Sequence, residues 1–138
     1  MRNYFTILFL LLPFYLISQT IKGKVVRVAD GDTITILDSS NTQVRVRLYG
    51  IDAPEKGQDF ANVAKEFTSD ICFSKIVIID VKDIDHYGRT VGIVWTDDSV
   101  NLNLELLRTG LAWHYKMFDN SDEFAQAENL AKINKVGL

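Results

Sequence analysis

Three short polar segments interrupt an otherwise ordinary pattern: DGDT at 30–33, RLYGIDAPE at 47–55 and DHYGR at 85–89. Together they supply the carboxylates of Asp30, Asp32, Asp52 and Glu55 and the guanidinium groups of Arg47 and Arg89. Carboxylate oxygens ligate hard cations and can take a proton from an attacking water. A guanidinium stays charged at any working pH and donates two hydrogen bonds at once, which suits phosphate. These are the types that hydrolysis of a phosphodiester requires, because charge grows on the phosphoryl oxygens as water attacks. Taken singly, each piece has a plainer reading. Asp-Gly between alternating apolar runs is a hairpin turn, Arg45 and Arg47 can be the wet face of a strand, and Glu55 can open a helix, where acids are favourable. Asp85 and Tyr87 can simply shape a loop, with Gly88 supplying a positive φ.

The elements that must hold these segments are legible in outline. Residues 21–29 and 32–38 are rich in β-branched residues and read as strands joined by the DGDT turn. In 43–51, Val44, Val46 and Leu48 alternate with Arg45, Arg47 and Tyr49, the pattern of a half-buried strand. Residues 59–71 place Phe60, Val63, Ala64, Phe67 and Ile71 at helical spacing. Residues 75–81 and 89–95 read as two further strands. A leucine-rich helix is expected over 100–108, closed by Gly110. A last helix over 121–135 is introduced by Asn120 with Glu123 three residues on, a capping box in outline. Trp95 and Trp113 are expected in the core, Cys72 as a small apolar residue at a helix end, and His114 as a surface or satisfied core residue. Five strands and three helices with two prolines fit an α+β, β-rich domain built on a small closed barrel.

Length and composition bound the rest. At 138 residues, 47% apolar and 24% charged, the chain fits one globular domain. Residues 1–19 have Arg2, an apolar stretch from Tyr4 to Ile17 containing Pro13, and then small or polar residues, which is the plan of a signal peptide. The stretch is shorter than the roughly 20 residues a spanning helix needs, so a permanent membrane anchor is not expected. Export to the periplasm or the medium is. Cys72 is the single cysteine, so no intrachain disulfide forms. Without Arg2 the mature chain carries 14 basic and 18 acidic side chains. An acidic chain can engage a polyanion only through a local cationic patch, and weakly.

In order and spacing, the hairpin DGDT, the strand arginine followed by D-x-P-E and the later D-x-Y-G-R resemble the staphylococcal nuclease (thermonuclease) family. The resemblance runs from about Ile21 to Leu138, which makes 20–138 the nuclease-like domain. It implies a five-stranded OB-fold barrel with three packed helices, and a monomer. It further implies that Asp32, Asp52 and the Ala53 carbonyl ligate one Ca²⁺ per chain, with Asp30 close behind. Glu55 matches the general base, Arg47 and Arg89 the two arginines on the scissile phosphate, and Tyr87 and Tyr115 substrate contacts. The implied activity is calcium-dependent endonucleolytic cleavage of DNA and RNA, preferably single-stranded, with low sequence specificity, leaving 3′-phosphate and 5′-hydroxyl ends. Two rival readings remain at this point: a catalytically silent OB-fold nucleic-acid-binding module, and an envelope protein that uses the barrel to bind another protein. The chain departs from the family in two places. Residues 56–59, KGQD, form a shorter segment, and Gly137-Leu138 stand where Gly-Leu-Trp and further residues are usual, so marginal packing of the last helix is expected.

Overall fold

A computed structural model describes residues 18–138; the proposed signal peptide falls almost wholly outside the described residues. Strands β1 (Thr20–Asp30), β2 (Thr33–Asp38), β3 (Gln43–Leu48), β5 (Ile76–Ile84) and β6 (Thr90–Thr96) close a barrel in the order β1-β2-β3-β6-β5. All neighbours are antiparallel except β3 and β6, which run parallel. Strands β4 (Ile51–Asp52) and β7 (Trp113–His114) form a separate two-residue pair. Helices α1 (Ala61–Cys72), α2 (Leu102–Arg108) and α3 (Asp122–Ile133) pack beside the barrel. None of the described helices is long and apolar enough to cross a membrane. The expected α+β barrel with three helices is the fold observed.

The barrel interior is built from the inward faces of alternating strands. Val25, Ile34, Ile36, Val46, Val77, Ile79 and Val94 are fully buried, each removing a branched apolar side chain from water for roughly 1.5–3 kcal/mol. Leu102, Leu104, Leu106 and Leu107 of α2 extend that core on the side of β6. Asn101 caps α2 by accepting from the Leu104 N–H at 3.0 Å, so the helix starts at Leu102 and not at 100, while Gly110 follows its end at φ 68°, as the sequence pattern predicts.

Helix α1 begins at Ala61, two residues later than its periodicity suggests, because Phe60 lies in the left-handed region at φ 64°. Its inward stripe is also different. Ala61, Ala64, Thr68 and Cys72 are buried, whereas Phe60 and Val63 are exposed and Phe67 and Ile71 half-buried. The cause is close approach to the β1–β2 turn. A Cβ on Gly31 would stand 2.8 Å from the Ala64 Cβ and 3.1 Å from the Ala53 Cβ, and Thr68 Oγ1 donates to the Gly31 carbonyl at 2.7 Å. Small residues are therefore required on the facing stripe. Gly31 is not among the positive-φ residues, so in DGDT the glycine serves contact with the helix and not a left-handed turn.

Three other expectations change. Strand β5 runs to Ile84, past the expected end at 81, because Asp83 and Ile84 pair with Val91 and Thr90 after a register shift. Helix α3 is capped by Ser121 and not Asn120: the Ser121 hydroxyl accepts from the Phe124 N–H and donates to Asp119 Oδ2 at 2.8 Å. Trp113 is exposed and Trp95 half-buried, since Trp113 sits on the two-residue strand β7 outside the barrel. Cys72 is the fully buried last residue of α1, and burial pushes its thiol up to about 12. The chain's last residues dock: the Leu138 N–H donates to the Gly110 carbonyl at 2.8 Å, and a Cβ on Gly137 would strike that same carbonyl.

Candidate active site

Arg47 is the centre of the site. It lies on β3, whose alternation turns Val46 and Leu48 into the core and Arg47 outward, cross-strand from Thr33 of the DGDT turn. Its guanidinium is held on four sides. Nη1 donates to the Leu48 and Ile51 carbonyls at 3.1 and 3.0 Å and pairs with Asp32 Oδ2 at 3.1 Å. Nη2 pairs with Asp52 Oδ1 at 3.1 Å. One guanidinium thus joins the aspartate of the β1–β2 turn to the aspartate of β4. Pairing of Asp52 with Trp113 ties β4 in turn to the segment after α2.

Asp32 is buried, and its carboxylate is the most constrained acid of the site. Oδ2 accepts from the Ala53 N–H at 2.7 Å and Oδ1 from the Thr33 hydroxyl at 3.1 Å. Asp30 stands behind it, accepting from the Asp32 N–H at 3.3 Å. Burial pushes the Asp32 carboxyl up to about 7; the Arg47 charge and the Ala53 N–H act against that rise, and Asp30 adds to it. With Asp32 ionised, Asp30, Asp32 and Asp52 set three formal negative charges against the one positive charge of Arg47.

Arg89 is placed by a second device, which its neighbours' types only hint at. The loop between β5 and β6 folds around Asp85, whose Oδ1 accepts from the Tyr87 and Arg89 N–H groups at 3.0 and 2.9 Å. Its Oδ2 accepts from Arg89 Nε at 2.7 Å. Burial opposes ionisation of Asp85, but these backbone and side-chain donors, with the Arg89 charge, hold the carboxyl below the usual range. Gly88 provides the expected positive φ, 77°. The Arg89 guanidinium lies 5.5 Å from the centre of the Tyr87 ring, which also packs on His86 at 4.0 Å.

A groove of about 320 Å³ brings Arg47, Asp85, Tyr87, Arg89 and Tyr115 together, with Phe118 on the same wall. Tyr115 and Phe118 meet edge to face at 4.9 Å, and the Tyr49 hydroxyl donates to the Phe118 carbonyl. Both arginines and both tyrosines singled out in the sequence thus share one cavity. Asp30, Asp32 and Asp52 cluster beside Arg47 and do not line it. Glu55 is exposed on the turn after β4, where its N–H donates to Gln58 Oε1 at 2.7 Å; it lies outside α1 and does not line the groove. Arg45 is exposed.

Asp85, which the sequence offers as a loop-shaping residue, does shape the loop and also clamps Arg89, a role that its position four residues upstream could have suggested. One contributor had no place among the expectations. Asn103, fully buried in α2, accepts from the Val94 N–H at 3.0 Å and donates to the Tyr49 carbonyl at 2.9 Å, fixing the chain between Arg47 and Asp52 onto the barrel. Its signal was an amide among leucines in LNLELL. His114 is a buried core residue whose Nε2 bonds to Asp119 Oδ2 at 2.8 Å. Among the described residues no three His, Cys, Asp or Glu side chains gather into a metal cluster. A cation here would rely on Asp32, Asp52 and a backbone carbonyl. That all-oxygen set, with its excess negative charge, fits a hard cation such as Ca²⁺.

Comparison with known proteins agrees with this geometry. The family model for staphylococcal nuclease homologues matches residues 45–138, from β3 to the last residue. An uncharacterized endonuclease of Haemophilus influenzae is 38% identical over 133 residues, covering 94% of this chain and 74% of the relative. An uncharacterized endonuclease of Escherichia coli is 36% identical over 138 residues, covering 100% of this chain and 90% of the relative. A micrococcal nuclease of Shigella flexneri is 35% identical over 127 residues, covering 85% and 72%. With its motifs gathered on a five-stranded barrel and similarity running along nearly its whole length, the chain belongs to the staphylococcal nuclease family.

Proposed function

We propose that the protein is an exported, Ca²⁺-dependent endonuclease acting on DNA and RNA with little sequence preference. The observation that carries this reading is the placement of Arg47, shared between the two aspartates and the groove that holds Arg89. A phosphate seated in that groove meets two guanidinium groups, each with its aspartate partner already in place. Such preorganised donors stabilise charge that develops on the phosphoryl oxygens and need no rearrangement at the moment of reaction. Glu55, three residues beyond Asp52 and exposed outside the groove, would take the proton from the attacking water once a strand lies across the aspartates. Asp32, Asp52 and the Ala53 carbonyl would hold Ca²⁺, and the chemistry it would supply is positive charge beside the phosphoryl oxygens. Asp30 keeps the Asp32 backbone in position from behind. Tyr87, Tyr115 and Phe118 offer aromatic faces to unstacked bases, which favours single strands.

Two carboxylates give loose calcium binding, on the order of 10⁻⁴ to 10⁻³ M, the range of extracellular modules. Mg²⁺, which demands tighter octahedral geometry, should support cleavage poorly. The test is cleavage of a labelled single strand in Ca²⁺, and in calcium chelator with excess Mg²⁺, followed by end-group analysis. The reading expects cutting with Ca²⁺ alone and products carrying 3′-phosphate and 5′-hydroxyl ends. Full activity in chelator with Mg²⁺ contradicts the metal assignment.

Export makes its own prediction. Protein recovered outside the cytoplasm should begin between Ser18 and Ile21, where small and polar residues follow the apolar stretch. N-terminal sequencing decides it, and intact Met1 in the membrane fraction would contradict it.

A further inference from the structure

The outer face of β1, β2 and β3 carries a second cationic feature, separate from the groove. Arg27 pairs across the sheet with Thr35, and Thr35 with Arg45, so the three side chains stand in one row. At two strand spacings the arginine Cα atoms are about 10 Å apart. The register shift between Val25 and Arg27 creates this row: it leaves both Val26 and Arg27 exposed, where strict alternation would have turned one of them inward. Between the arginines lies a depression of about 440 Å³, floored by Thr33, Thr35 and Gln43 and lined by no carboxylate.

The other arginines among the described residues face acids. Arg47, Arg89 and Arg108 each form an ion pair, whereas among the described residues neither Arg27 nor Arg45 does. In a chain of formal charge −3, two unpaired arginines around hydroxyl and amide donors make a local anion-binding surface. The depression also reaches the catalytic site. Thr33 lines it and donates to Asp32 Oδ1 at 3.1 Å, and Thr33 is the cross-strand partner of Arg47. Arg45 and Arg47 point to the same side of β3, two residues or about 7 Å apart along the strand. That step is comparable with the separation of successive phosphates in an extended single strand.

We propose that Arg27 and Arg45, with Thr35 between them, hold the sugar–phosphate backbone of a nucleic-acid strand beyond the scissile phosphate, on a track that leads to Arg47. The proposal deepens the nuclease reading and rests on it for the identity of the ligand. Two forked donors and a hydroxyl suit phosphate oxygens and carry no base information. The track therefore favours long substrates without imposing a sequence.

The test compares wild type with the double variant Arg27→Gln/Arg45→Gln. Equilibrium binding of a long labelled single strand is measured in chelator across a salt series, and cleavage of long strands and of a dinucleotide in Ca²⁺. Each lost phosphate contact should reduce the salt slope by about 0.7, so by about 1.4 for the pair. KM for the long strand should rise with kcat unchanged, dinucleotide cleavage should not move, and Arg27→Lys/Arg45→Lys should keep most of the slope. An unchanged slope in the glutamine variant overturns the track, as does equal loss on the dinucleotide, which marks a structural effect. The two readings fail separately: if wild type binds with the arginine-dependent slope yet never cuts, the track stands and the nuclease assignment falls. If it cuts but the slope is unmoved, the track falls alone.

Discussion

Replacing Arg47 or Arg89 by alanine should lower the rate of cleavage by about 10² to 10³, the usual cost of removing one donor to a charged transition state. The two losses should differ in kind. Arg89 touches the rest of the protein through Asp85 and the Tyr87 ring, so Arg89→Ala loosens one surface loop and leaves the barrel intact. Arg47 pairs with two aspartates and two backbone carbonyls. Arg47→Ala therefore also leaves the buried Asp32 without its counter-charge, and it should lower the thermal stability of the metal-free protein as well. Glu55→Gln should also collapse the rate, but by removing a proton acceptor and not a cation. Because Glu55 is negative and lies near a polyanion, its neutralisation should leave strand binding unchanged or tighter, while both arginine variants weaken it. Cleavage and binding of one labelled strand, measured for all three variants at fixed ionic strength, separate these outcomes. A Glu55→Gln enzyme that cuts at the wild-type rate would remove Glu55 from the mechanism.

Asp32→Asn should abolish calcium-dependent activity and yet make the metal-free protein more stable at pH 8. The Asp32 carboxyl is raised to about 7 in the fold from an ordinary 3.8, chiefly by burial. For an acid shifted upward, the contribution to stability is fully present below the unfolded pKa and is lost as pH rises through the folded one. In chelator, this one group should cost the wild type stability progressively between about pH 4 and pH 7. Asparagine keeps an acceptor for the Ala53 N–H and carries no charge, so the gain at pH 8 should be about 1 to 3 kcal/mol. It falls short of the full shift because Arg47 loses a partner. At pH 4 the difference should vanish. Calcium requires the ionised carboxylate, so its affinity for wild type should climb with pH and level off above about 7. Thermal melts of the two proteins with chelator and with Ca²⁺, at both pH values, check every part. A variant that melts below wild type at pH 8 in chelator would show that Asp32 is not a strained charge awaiting a cation.

The parts of the fold that sequence made legible are those fixed by local rules. Alternation in 43–48 placed Val46 and Leu48 inside and Arg47 outside, and Gly88 and Gly110 marked backbone that needs positive φ. Contacts between distant segments were not legible. The small-residue stripe of α1 follows from how closely the helix approaches Gly31, which no periodicity within 59–71 encodes. Trp113 reads as core by type, but its strand is a two-residue pair at the rim. The site showed the same division. The motifs presented Arg47, Arg89 and the aspartates, but not that one guanidinium would link Asp32 to Asp52, nor that Asp85 would grip the Arg89 side chain and Asn103 would fix the chain between Arg47 and Asp52. Arg45 looked like the wet face of a strand until the register put it in one row with Arg27.

A groove that breaks phosphodiester bonds differs from one that merely holds them in the fate of the strand it binds. The most direct measurement follows a single labelled strand with wild-type protein in Ca²⁺ at concentrations in the millimolar range, reading bound and cleaved fractions from the same samples. The strand should bind and be cut, with cutting lost in chelator while salt-sensitive binding persists. A strand that binds with Ca²⁺ present and stays whole would contradict the nuclease reading, and would leave a nucleic-acid-binding barrel without catalysis.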